Sequence, residues 1–109
     1  MNPEFIKKLE VQIEKSIYKD IIKDFITVFE DRIAFSFGPG APQLSLGKIY
    51  KVIPGYDTMR GPQVTYSIAD EDEALAEFIR CVELELMLPM NFLQYNPKYK
   101  EKLESINSR

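Results

Sequence analysis

At 109 residues and 12.7 kDa the chain has interior enough for one α+β domain, residues 1–109, and none for a second core. Its 45% apolar and 28% charged residues exclude disorder over most of its length, and a net charge of −3 with a pI near 5.0 argues against direct binding to nucleic acid. One cysteine and no histidine exclude an intrachain disulfide, a Cys/His zinc site and a Ser-His or Cys-His nucleophile.

Asn2-Pro3-Glu4 is a helix start: Asn caps, Pro fits the first helical position and Glu complements the dipole. Ile6, Leu9, Ile13, Ile17 and Ile21 recur at steps of three and four, which predicts one long helix of about twenty residues, some 30 Å. Phe25–Phe29 fits either a continuation of that helix or a strand, and its β-branched and aromatic composition favours the strand. Glu30-Asp31 then turns the chain into a hairpin partner, Ile33–Phe37, with Ile33, Phe35 and Phe37 on one face and Ala34 and Ser36 on the other.

Two prolines and two glycines make Gly38–Pro42 a loop, expected to face solvent. A third strand is predicted at Lys48–Ile53, closed by Pro54-Gly55; a second solvent-facing loop at Tyr56–Pro62; and a fourth strand at Val64–Ile68. Asp70 with Glu73 forms an Asp version of the capping box that opens the second helix, whose stripe is Leu75, Phe78, Ile79, Val82 and Leu86 and which Pro89 ends or kinks. Asn96-Pro97 opens a short polar helix expected to fray from Ser105 onward. The expected fold is thus a long N-terminal helix, a four-stranded, mainly antiparallel sheet, an acidic second helix and a short C-terminal helix, packed on one face.

No apolar run approaches the 18 or so residues that span a bilayer, and the first residues lack the pattern of a signal peptide, so a cytoplasmic location without a membrane partner is expected. The net charge hides a segregation: residues 70–95 hold seven carboxylates against Arg80 alone, whereas residues 32–69 and the tail are basic. Asp70 to Glu73 are explained by the helix dipole. Glu77, Glu83 and Glu85 lie beyond the first turn and admit two readings, a solvated face or a surface that steers a basic protein.

Tyr56, Asp57 and Arg60 fit either an Arg–Asp staple in a turn or anchors at an interface. Met87, Leu88, Met90, Phe92, Leu93 and Tyr95 read most simply as core where two helices meet, and otherwise as an adaptable contact surface. Cys81, beside the apolar stripe without a histidine, reads as an inert, partly buried thiol. The carboxylates cluster on one helix and no glycine-rich phosphate loop is present, so neither an enzyme nor a cofactor is expected.

The strand Lys48–Val52, the Met59-Arg60-Gly61 step, the next strand and Ala69–Ile79 together resemble small immunity proteins of bacterial polymorphic-toxin and contact-dependent growth inhibition systems. The resemblance spans about residues 47–88 and departs from the pattern at Phe78-Ile79-Arg80, where an aromatic pair is often found. It implies an antitoxin that binds a cognate toxin domain, in many cases a basic nuclease, and blocks it by occlusion. On that reading Glu77, Glu83 and Glu85 steer, and Tyr56, Asp57 and Arg60 add contacts. The alternative is a small acidic secretion chaperone or adaptor that holds a client segment; monomer and homodimer are both open.

Overall fold

A computed structural model describes residues 2–55 and 65–108. In those residues the chain forms α1 (Pro3–Glu14), α2 (Lys19–Phe25), β1 (Ile26–Val28), β2 (Arg32–Phe35), β3 (Gln43–Ser45), β4 (Tyr50–Ile53), β5 (Tyr66–Ile68), α3 (Glu71–Met87), α4 (Met90–Tyr95), a 3-10 turn (Pro97–Tyr99) and α5 (Lys100–Asn107). The five strands form one antiparallel meander in chain order. α3 lies on β3, β4 and β5, α2 meets β2, and α1 rests on α3.

The predicted hairpin forms with Ile26 opposite Phe35 and Val28 opposite Ile33, although Phe25 closes α2 and the strand begins one residue later. Four predicted strands become five because Gln43–Ser45, with a single apolar residue, pairs on both sides: Leu44 lies opposite Ile33 on β2 and Val52 on β4. A strand held by two ladders needs little intrinsic propensity. The core-facing row Ile33, Phe35, Leu44 and Val52 is fully buried. On the opposite face Ala34 is buried too, contrary to the expected alternation, because Thr27 and Gln43 flank its methyl group in the ladder.

The long first helix divides in two. Ser16 is buried, and its hydroxyl accepts from Tyr18 N–H at 3.1 Å, an alternative to the helical ladder that ends α1. The break turns Tyr18 inward, and its hydroxyl bonds to Asn107 of α5. Ile17, expected on the apolar stripe, is thereby left 62% exposed, while Ile21 and Ile22 enter the core.

The Gly38–Pro42 loop does not lie wholly in solvent: Ala41 and Pro42 are buried, and Phe35 N–H donates to Pro42 O at 2.9 Å. Gly38 is bare because the Tyr95 ring lies over it, 2.9 Å from where a Cβ would stand. The C-terminal helix does not fray at Ser105. Ile106 is buried, and Asn107 Nδ2 donates to Leu86 O at 3.0 Å, which ties the end of α5 to α3. Phe25, Phe35, Phe37, Phe92 and Tyr99 form an edge-to-face and stacked cluster at the opposite end of the sheet from β5.

Candidate functional site

α3 carries the candidate surface, and its start follows from the sequence. Asp70 is the N-cap, accepting from Glu73 N–H at 2.8 Å. The first-turn acids then have partners across the fold: Lys8 Nζ stands 3.3 Å from Glu71 and 3.2 Å from Asp72, and the Tyr50 hydroxyl donates to Glu71 at 2.8 Å. Those bonds, Asp72's first, raise the Lys8 pKa, and the bond to Glu71 raises that of Tyr50. The predicted stripe Leu75, Phe78, Ile79, Val82 and Leu86 is buried, and Ala74 and Cys81 join it.

The three glutamates assigned to steering do not share one face. At 3.6 residues per turn Glu85 lies about 80° round the helix from Glu77, and Glu83 about 120° from Glu77 on the other side. Each also meets a different part of the fold. Glu77 pairs with Arg80 one turn on and lies near Tyr66 of β5. Partial burial raises the Glu77 pKa, but the Arg80 guanidinium and, after it, the neighbouring Tyr66 hydroxyl outweigh it and hold the carboxyl below its ordinary value.

Glu83 accepts from the buried Ser16 hydroxyl at 2.8 Å, which locks α3 to the break between α1 and α2. The Glu85 carboxylate stands against Gly55, with Oε1 2.8 Å from the position of a Gly55 Cβ. Gly55 has φ +98°, and Gly40 O lies 3.1 Å from the same position, so only glycine fits there. Tyr56, Asp57 and Arg60 lie outside the described residues.

Cys81 is more deeply buried than expected, at 2% exposure, and its Sγ stands 3.7 Å from the Tyr66 hydroxyl. Burial pushes its thiol pKa up, with smaller opposing contributions from Tyr66 and Arg80. Burial likewise raises Tyr66, with the thiol contact second. Among the described residues no cluster of three His, Cys, Asp or Glu side chains could hold a metal ion. Among the described residues no helix is long and apolar enough to cross a membrane.

The core reading of the segment around Pro89 is corrected. Phe92 is fully buried and Leu93 half-buried, but Met90 is 78% and Leu88 70% exposed, and Met87 and Tyr95 also face solvent. Pro89 stops α3, so the residues beside it fall outside the periodicity that buries Leu86 and Phe92. With Leu84 they form an apolar ridge next to a groove of about 470 Å³ between the Pro89 corner and α5. Leu84 and Met87 stand outside the predicted stripe, a signal available in the sequence; for Leu88 and Met90 the only sequence signal is Pro89 itself.

No protein-family model, curated protein or solved structure matches this chain.

Proposed function

We propose that the protein is an immunity protein that neutralises a cognate bacterial toxin domain, a nuclease, by occlusion. The observation that supports this reading most is the charge retained on α3. Residues 70–95 carry seven carboxylates against Arg80, and the hydroxyl that Glu83 accepts from, that of Ser16, brings no opposing charge to the helix. A long-range field depends on net charge and not on whether the three glutamates share a face, so Glu77, Glu83 and Glu85 can steer together while each is locally anchored. A nuclease is basic where it holds nucleic acid, and an acidic helix competes for that surface. Tyr56, Asp57 and Arg60 are assigned to further contacts with the toxin.

A secretion chaperone is the second reading, favoured by the exposed Leu84, Met87, Leu88 and Met90 beside an apolar groove. The experiment is affinity capture of the tagged protein from its native cell, with identification of what survives a high-salt wash. One stoichiometric toxin domain whose killing this chain suppresses supports the antitoxin; an extended client segment supports the chaperone. With the toxin in hand, charge reversal at all three glutamates should slow association about tenfold at low salt and flatten its salt dependence. An unchanged rate refutes steering by this helix.

A further inference from the structure

We infer that α1 is an exchangeable arm: when the break after Glu14 straightens, α1 and α2 join into one helix and α1 docks on α3 of a second copy of this chain, so that two copies form a reciprocal, arm-swapped dimer. Nothing local imposes the break. From Glu4 to Phe25 the chain holds no glycine or proline. Lys15 is already helical at φ −75° and ψ −15°, Tyr18 stands close by at φ −99° and ψ 13°, and no residue between them has a positive φ. Ile17 lies four residues after Ile13 and four before Ile21, so in a continuous helix the three stand one above another, yet the break leaves Ile17 62% exposed.

Contacts across the break hold the chain bent. Ser16 donates to Glu83 and accepts from Tyr18 N–H, and Glu14 pairs with Lys23, nine residues on, which a straight helix would hold about 13 Å further along its axis. The occupant of the exchanged site follows from what α1 covers. In the bent chain Phe5, Leu9 and Ile13 are buried, and Lys8 reaches Glu71 and Asp72 at the start of α3. A straight helix over residues 3–25 runs about 35 Å and carries α1 off its own α3, which bares both surfaces. The surface that matches this apolar row and this cation is α3 of another copy, bared in the same way, and a two-fold arrangement fills both sites at once. Such a dimer keeps the contacts of α1 with α3 and sets Ile17 against Ile13 and Ile21. Tyr18, which opens α2 and bonds to Asn107, stays with its own copy.

The test is to unfold the full chain in urea, refold it at about 10 µM and at about 1 mM, and measure its mass by size exclusion with light scattering. The wild type should refold as a monomer at the lower concentration and form a dimer at the higher. Ser16→Ala removes the bond to Glu83 and favours helix at the break, so it should strengthen the dimer about a hundredfold, about tenfold from each of its two breaks. Ile17→Gly should weaken it about tenfold. The site of docking is read by charge exchange. Lys8→Glu and Asp72→Lys each set like charges together between α1 and α3 of one chain, and only exchange between the two variants removes the clash at both contacts. An equimolar mixture refolded together should therefore form a heterodimer in preference to either homodimer. A monomer at both concentrations, a dimer that Ser16→Ala leaves unchanged, or charge variants that pair at random would overturn the proposal. Lys8, Ile17 and Asp72 are exposed, so their substitutions decide the matter independently of how Ser16→Ala folds.

Discussion

The Ser16–Glu83 bond separates what the acidic helix does for the fold from what it does for a partner. The hydroxyl of buried Ser16 donates to Glu83 at 2.8 Å and accepts from Tyr18 N–H at 3.1 Å, so Ser16→Ala removes an acceptor and a donor together. A hydrogen bond to a charged group contributes about 1.5–3 kcal/mol, and the partial exposure of Glu83 brings the expected loss toward the lower end, about 1.5 kcal/mol. At an m-value of about 1.5 kcal/mol/M this lowers the urea midpoint by about 1 M. Glu83→Gln keeps an acceptor for the hydroxyl but removes the charge, and should lose about half as much. The double variant should be no less stable than Ser16→Ala alone, so that its loss falls below the sum of the two by about 0.7 kcal/mol, since the pair shares one bond. The functional readout divides the other way: Glu83→Gln slows association with the toxin, and Ser16→Ala leaves it unchanged. Additive stabilities would refute the bond as a stabilising contact, and an association rate that follows stability instead of charge would refute the separation.

Truncating Phe92, fully buried among Phe25, Phe35, Phe37 and Tyr99, should destabilise by about 3–5 kcal/mol in chemical denaturation. Gly55→Ala, at φ +98° and against both the Glu85 carboxylate and Gly40 O, should destabilise by about 1–3 kcal/mol in the same assay. Because the folded-state pKa of Glu77 is depressed, its contribution is fully present above the ordinary glutamate range, about pH 4.3, and is lost as pH falls through the lower folded value. The acid limb of a stability–pH profile should therefore flatten in Arg80→Ala. Cys81 should resist alkylation by iodoacetamide at about pH 8 in the folded protein and react on unfolding, as followed by mass spectrometry.

The elements legible in the sequence are those whose causes lie within a few residues. The Asp70 cap, the α3 stripe and the β1–β2 hairpin depend on contacts between near neighbours, and each forms close to where the sequence places it. β3 had no local signal: Gln43–Ser45 becomes a strand because Leu44 is held between Ile33 and Val52. By sequence the first helix is unbroken because Ile17 fits its periodicity, yet the break is stabilised by Ser16 reaching Glu83, 67 residues on, and by Tyr18 reaching Asn107, 89 residues on. The same division runs through the candidate surface. Charge is additive, so the acidic bias of residues 70–95 is fixed by composition alone. Which carboxylate meets which partner, and whether Met87, Leu88 and Met90 are core or surface, is decided where Pro89 turns the chain and Asn107 anchors α5 to α3. Local propensity leaves two nearly equal states at such positions, and contacts distant in sequence choose between them.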